Sequence, residues 1–350
     1  RLYARHEYAK SLSSLYGLND GEARRATVFG VDSAYMNDGT VFSEYRLRSA
    51  IPGRESEAAV GLRNLWPVKP GLAFSTAFER VQVLDGVRGD ATAVSFGVEN
   101  TRRENAKGSA RFEWRTDDAA DAWLSTLAYT RKLSRDWSLL GRNLFSHIEN
   151  DDAQLGTRLQ NRAIVGLAYR QTDRNQWDAL MRYEMKLERD DGLADPFERD
   201  VHIVSAHANW HPNRPLTVAG QLAAKWVDED FGIGATQFDA KFAAQLASVR
   251  VLYDITERWD FGVQASGLFS SGGRQYGLGL ETGYAIVDNL WASVGYNFIG
   301  FSDDDLVESD YTRRGIYLRL RFKFDEKLFR GRDRQWNNSL SATTPDGQQN

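Results

Sequence analysis

Residues 177–188 read Trp-Asp-Ala-Leu-Met-Arg-Tyr-Glu-Met-Lys-Leu-Glu. Trp177, Ala179, Met181, Tyr183, Met185 and Leu187 alternate with Asp178, Leu180, Arg182, Glu184, Lys186 and Glu188. A period of two puts the first set on one face of an extended strand and the second on the other. One face suits lipid; the other carries a run of charges. A half-buried strand of a water-soluble sandwich shows the same alternation, so this stretch predicts a strand and leaves open what its apolar face meets.

Repetition narrows the choice. The pattern recurs near 2–10, 25–36, 40–49, 57–66, 72–83, 91–101, 108–116, 122–133, 137–148, 160–171, 177–188, 200–210, 216–227, 237–254, 259–270, 275–286, 289–299 and 314–324. That makes about 18 strands, mostly long enough for a tilted crossing of a bilayer. The first strand and the overlong 237–254 carry the weakest patterns, and merging two weak strands gives 16. Links after even-numbered strands are short and rich in turn formers: Asn37-Asp38-Gly39, Pro67 to Pro70, Ser134-Arg135-Asp136, Thr172 to Gln176, His211 to Pro215 and Val287-Asp288-Asn289. After odd-numbered strands several are longer: 11–24, 149–159, 189–199, 228–236 and 300–313. Short turns at one end and longer loops at the other are the outer-membrane pattern, with the short end and both termini in the periplasm.

Tryptophan placement is a separate indication. Trp66, Trp137, Trp177, Trp210, Trp259 and Trp291 lie beside short turns, Trp114, Trp123 and Trp226 near the opposite strand ends, and Trp336 in the tail. Indoles prefer the headgroup level, so two belts are expected. Composition agrees. The 350 residues contain no apolar run long enough for a transmembrane helix, yet 12% are aromatic and 30 are glycine. Mean hydropathy is −0.51, as strands apolar only at every second position produce. There is no cysteine, which excludes disulfides and thiolate metal sites, and the 44 basic and 48 acidic residues are mixed, with no basic block for nucleic acid. The fold expected is all-β, a transmembrane antiparallel up-and-down β-barrel over 1–325. Residues 326–350, with Asn-Asn, Thr-Thr-Pro-Asp-Gly and Gln-Gln, are expected to be a polar periplasmic tail without fixed structure. Because the chain starts at Arg1, a targeting segment and further sequence are expected upstream.

Residues 313–324 read Arg-Arg-Gly-Ile-Tyr-Leu-Arg-Leu-Arg-Phe-Lys-Phe. They resemble the terminal-strand signal read by the bacterial barrel-insertion machinery, with Arg313, Gly315, Leu318 and Leu320 in its fixed places and Phe322 and Phe324 continuing the apolar alternation. A signal strand usually ends the protein; here a tail follows. The phrases Gly61-Leu62-Arg63-Asn64, Leu139-Leu140-Gly141-Arg142-Asn143-Leu144, Gly166-Leu167-Ala168-Tyr169-Arg170-Gln171-Thr172-Asp173 and Tyr317 to Asp325 resemble the C-terminal outer-membrane barrel of large Gram-negative surface proteins bearing immunoglobulin-like conserved repeats. The resemblance implies an outer-membrane anchor and brings no catalytic motif with it.

No constellation points to chemistry. His202 and His207 fall on opposite faces of a strand, His207 and His211 lie about 13 Å apart at the usual rise, and His6 and His147 are isolated, so no metal site is expected. Ser146-His147 with Glu149 and Asp151 suggests hydrolysis, but strand neighbours point apart and no Gly-x-Ser-x-Gly elbow exists. The Ser270–Arg274 stretch reads as a hairpin loop. No enzyme activity and no cofactor are expected. What remains is the inward face, where alternation places Glu44, Arg46, Arg48, Arg63, Glu79, Arg111, Glu113, Arg115, Arg182, Glu184, Lys186, Glu188, Arg319, Arg321 and Lys323. Lipid would penalise each such charge by roughly 2–4 kcal/mol at midplane. Both signs occur on adjacent positions, which fits structural salt-bridge ladders and a solute-selecting ring alike.

Three roles compete: an anchor and translocation pore for a larger surface protein, a porin-like channel for small hydrophilic solutes, and an active receptor, which would need a separate N-terminal plug domain. Against the porin, no connection looks long enough to fold inward as a constriction loop. Expected partners are outer-membrane lipid and lipopolysaccharide, the insertion machinery, and an upstream surface domain or periplasmic partner, with no nucleic acid.

Overall fold

A computed structural model describes residues 1–9, 24–36, 38–50, 53–85, 89–152, 154–192, 196–232, 238–287, 290–301 and 314–322. They form strands and no helix: β1 (Leu2–Ala9), β2 (Arg24–Met36), β3 (Gly39–Ala50), β4 (Gly53–Lys69), β5 (Leu72–Asp85), β6 (Ala91–Arg103), β7 (Ala106–Asp117), β8 (Ala120–Lys132), β9 (Trp137–Asn150), β10 (Thr157–Arg170), β11 (Trp177–Asp190), β12 (Phe197–Asn213), β13 (Leu216–Phe231), β14 (Phe238–Asp254), β15 (Trp259–Ser270), β16 (Gly273–Val287), β17 (Leu290–Ile299) and β18 (Gly315–Phe322). The tail at 326–350 lies outside the described residues.

Each strand pairs antiparallel with the next in sequence, so one 18-stranded sheet runs up and down from β1 to β18. Among the described residues no ladder joins β18 to β1. The count of 18 holds rather than 16, and the overlong segment is a single strand. Phe238–Asp254 is long because its first residues pair only with β13, while β15 joins from Ala244 onward. At that end β14 therefore projects past β15, while β11 to β14 end level with one another. Strands also run further into the longer links than alternation suggested: β13 reaches Phe231 and β9 reaches Asn150. On that same side 118–119 and 271–272 are tight hairpins, so loop lengths are sorted less sharply than the sequence implied. Hydrogen bonding carries a strand onward wherever a neighbour offers a partner, even after the side-chain pattern fades.

Strand length suits a bilayer. The 14 residues of β11 span about 48 Å, or about 36 Å along the membrane normal at a tilt near 40°, against an apolar band about 25 Å tall. Burial is inverted with respect to a water-soluble protein. Glu184 is 1% exposed and Lys186 3%, whereas Leu222 is 64% exposed and Phe96 56%. Facing pairs place the charged set on one continuous face: Arg46 lies across from Glu57, Ser95 from Glu113, and Glu184 from Ile203. That face is concave, since the inner residues of six successive strands, β6 to β11, converge on one hollow of about 680 Å³.

Two matching rows flank the β1 and β18 ends of the sheet. Tyr3 on β1 lies over Gly30 on β2, and its hydroxyl donates to Glu44 on β3. Tyr317 on β18 lies over Gly295 on β17, and its hydroxyl donates to Glu281 on β16 at 2.9 Å. A Cβ on Gly30 would sit 2.5 Å from the Tyr3 ring, and one on Gly295 2.2 Å from the Tyr317 ring. Only glycine lets each ring lie flat on its neighbour strand and reach the acid beyond it.

Candidate functional site: the charged inner wall

The inner wall divides into ion-pair groups, most of them spread over several strands. Near the β1 end, Arg46 lies 2.6 Å from Glu44 and donates to both carboxylate oxygens of Glu79 at 2.7 and 3.1 Å, while Arg5 approaches Glu44 at 3.5 Å. Arg63 faces the same side but stands over the Phe42 ring, 4.1 Å from its centre. On β7, Glu113 holds Arg111 at 2.8 Å and Arg115 at 3.2 Å, each two residues away on the same face.

The middle group is centred on Glu184. Arg162 donates to it at 2.6 Å, with Lys186 at 3.7 Å and Arg182 at 3.8 Å. One row further on, Arg199 bridges Glu188, at 3.5 Å, and Glu229. Towards β18, Glu281 gathers Arg250, Arg319 at 3.5 Å and the Tyr317 hydroxyl, and beside it Gln264 donates to Asn297 at 2.9 Å. Most of the expected wall residues thus take part in ladders that alternate in sign across strands. Arg48 and Arg321 keep the inner register through their backbone pairs, Arg48 with Ala26 and Glu55 and Arg321 with Trp291. Lys323 and Phe324 lie outside the described residues. In β18, Gly315 opens the strand with a φ of +137°, Leu318 and Leu320 are 78% and 73% exposed on the outer face, and Phe322 pairs with Leu290.

Several wall residues were missed by alternation alone: Tyr3, Arg5, Arg162, Arg199, Glu229, Arg250, Glu281 and Tyr317. Arg5, Arg162, Arg250 and Glu281 are charges on the inner faces of strands that the pattern did locate, whereas Arg199 and Glu229 fall in the links expected at 189–199 and 228–236, which the structure takes into β12 and β13. Phe301 is different. It follows β17, is 4% exposed, and packs with Val201, Ile203, Leu246 and Leu268 from the inner faces of β12, β14 and β15. Phe301, two residues past β17, thus turns into the concave face against an apolar patch, and the expectation that no connection is long enough for a constriction loop falls on 302–313, outside the described residues.

Outside, the aromatic belts are mostly as expected. Trp66, Trp177, Trp210, Trp226 and Trp259 are exposed, and Trp177 stacks on Trp210 with ring centres 5.5 Å apart. Trp291 is an exception, since it lies across from Ala285 and Arg321 and shares the inner register of Ser293 and Gly295. Ser146 is buried on the inner face, whereas His147 pairs with Glu149 at 3.0 Å and lies tilted against Trp123 on the other. Those three side chains do not converge. His202 faces outward against Tyr183, and His207 faces inward. Among the described residues no group of histidines and carboxylates is arranged to hold a metal ion.

No protein-family description and no curated protein matches the chain. Among solved structures it is similar to a bacterial polysaccharide outer membrane secretin, at 12% identity over 86% of this chain and 98% of that one, with a TM-score of 0.38. It is also similar to OccAB4 of Acinetobacter baumannii, at 9% identity over 85% and 90% with a TM-score of 0.36. The loop-deleted outer membrane protein OmpT of Vibrio cholerae gives 10% identity over 81% and 99% with a TM-score of 0.34.

Proposed function

We propose that this chain is an outer-membrane β-barrel whose charged face lines the lumen and whose main role is to anchor a larger surface protein. The observation that carries the membrane reading is the inverted burial. Phe29, Phe74, Phe78, Phe112, Leu222, Leu318 and their outer-face neighbours present far more apolar surface than the few hundred Å² a water-soluble monomer tolerates. Lipid removes that penalty, and the charges find water and one another inside. The short links and both ends then face the periplasm, lipid and lipopolysaccharide cover the outer face, and β18 is the strand offered to the insertion machinery.

Two features support the anchor. The wall charges are largely neutralised in pairs, as a structural ladder requires, and the sequence resembles the barrels of repeat-bearing surface proteins. The upstream surface domain belongs to this reading, and no catalytic step does. A porin-like channel is the second reading, favoured by the hollow along β6–β11, where Lys107 and Arg142 face the lumen without ion-pair partners among the described residues.

Because the chain has no cysteine, single replacements report cleanly. Arg182→Cys and Glu113→Cys should react with a charged, impermeant thiol reagent in proteoliposomes, while Met181→Cys and Phe112→Cys should not. Equal labelling on both faces would sink the membrane reading. Planar-bilayer conductance separates the roles. Silence from folded, inserted protein supports the anchor; steady openings altered by Arg319→Gln and Arg321→Gln make it a channel.

A further inference from the structure

We propose that the lumen contains a binding pocket for a small amphiphilic organic anion, an apolar body carrying a carboxylate, on the inner faces of β6 to β11. The hollow there holds about 680 Å³, within the roughly 300–1,000 Å³ usual for small-molecule sites. Two adjacent rows of facing residues build its floor. One runs Lys107, Thr130, Leu140, Gly166, Arg182, and the next runs Ser109, Ala128, Arg142, Ile164.

Two properties set this place apart from the rest of the wall. The first is uncompensated positive charge. Lys107, Arg142 and Arg182 line the hollow against the single carboxylate of Glu99. Among the described residues neither Lys107 nor Arg142 has an ion-pair or hydrogen-bond partner, and Arg182 has only Glu184 at 3.8 Å. Elsewhere the acids at 44, 113, 184 and 281 each hold at least two cations. The second property is apolar surface where a charged wall has no use for it: Leu140 is 41% and Leu180 42% exposed, both on the lumen side, and Ile164 lines the same hollow.

The chemistry of the occupant follows from this combination. Arg142 is central, about two strand spacings, or about 10 Å, from the β7 and β11 flanks that carry Lys107 and Arg182. Its guanidinium fork matches a carboxylate in two parallel hydrogen bonds. Ile164 lies beside Arg142 in the same row and Leu140 in the next, so an aromatic or branched body can cover these two while its carboxylate meets Arg142. Lys107 and Arg182 contribute field rather than contact, drawing anions to the hollow. A small hydrophilic anion would leave the leucines wet, and a neutral apolar solute would leave Arg142 without a partner.

The pocket rests on the reading of the charged face as a lumen, but not on whether the barrel anchors or conducts. The probe is 4-fluorobenzoate, titrated against the protein in lipid nanodiscs and followed by ¹⁹F line broadening, with 4-fluorobenzyl alcohol as the neutral control. Saturable binding of the benzoate is expected, with the alcohol bound at least about tenfold more weakly. Arg142→Gln should weaken the benzoate by about tenfold or more, whereas Arg319→Gln on the far wall should leave it unchanged. Lys107→Gln, at an exposed side chain, is the second variant should Arg142→Gln misfold, and it should weaken binding several-fold with steeper loss at low salt. No saturable binding, equal binding of the alcohol, or indifference to both substitutions overturns the pocket. Labelling of Arg182→Cys but not Met181→Cys in the same nanodiscs would then leave the lumen standing, whereas equal labelling would remove the lumen as well.

Discussion

Leu222→Arg is the sharpest test of which face meets lipid. Leu222 is 64% exposed on the outer face of β13, across from Ala206 and Ala247. Trp210 lies level with Val218 and Trp226 lies on β13 itself, so Leu222 is four residues from each aromatic belt. Four residues at a rise of about 3.4 Å and a tilt near 40° give about 10 Å along the normal on either side, which puts Leu222 at midplane. The residues opposite it are alanines, so an arginine there meets no carboxylate and is far from either interface. An arginine at midplane of a barrel strand costs about 2–4 kcal/mol, a shift of about 30- to 700-fold in the folding equilibrium. Gln221→Arg supplies the control: its side chain lines an inner hollow with His207 and Ser248, so the same charge one residue away should cost no more than about 1 kcal/mol. Equilibrium urea unfolding in phospholipid vesicles, followed by tryptophan fluorescence with unchanged denaturant dependence, measures both. Equal costs for the two variants would mean that the face assigned to lipid meets water, and the fold-level reasoning would be refuted.

Other consequences follow from single contacts. Glu184→Gln should lower the urea-unfolding free energy by about 1–3 kcal/mol, since a 1% exposed acid would leave Arg162 and Lys186 without it. Arg135→Ala, which breaks an exposed turn pair with Asp173 at 2.7 Å, should cost under about 1 kcal/mol in the same titration. Phe301→Ala should cost about 3–5 kcal/mol by the same measurement if its packing on Val201, Ile203, Leu246 and Leu268 is as tight as its burial indicates; a neutral result would detach it from the wall. In the β8–β9 turn, the Thr172 hydroxyl and backbone N–H donate to Asp136 at 2.6 and 3.0 Å and hold its carboxyl below the usual range. A lowered folded-state value stabilises the protein above the unfolded carboxylate range near 4, and that contribution is lost as pH falls through the folded value. The stability advantage over Asp136→Asn should therefore shrink below about pH 4, and an advantage unchanged down to pH 2 would contradict the bond.

The strand pattern was legible residue by residue because alternation is a local property. Trp177 to Glu188 states its own two faces, and so do the strands that the sequence places near 57–66 and 259–270. Partners were not legible in the same way. Glu281 collects Arg250 from β14 and both Tyr317 and Arg319 from β18, a choice that depends on the register of four successive ladders. Glycines 30 and 295 look like ordinary strand glycines until the register sets Tyr3 and Tyr317 over them. Phe301 gave no signal at all, because nothing in its neighbourhood along the chain hints at an apolar patch on β12, β14 and β15.

By itself, then, the sequence determined that this chain is built of some eighteen two-faced strands, which residues share a face, and that one face suits lipid. A side chain's direction in a strand depends only on whether its position is odd or even, so those facts need no neighbours. Which acid holds which base, where positive charge is left over at Lys107 and Arg142, and where Phe301 packs were decided only by tertiary structure. Those outcomes depend on inter-strand register and on the curl of the whole sheet, and a shift of one residue in any ladder would reassign every pair along it.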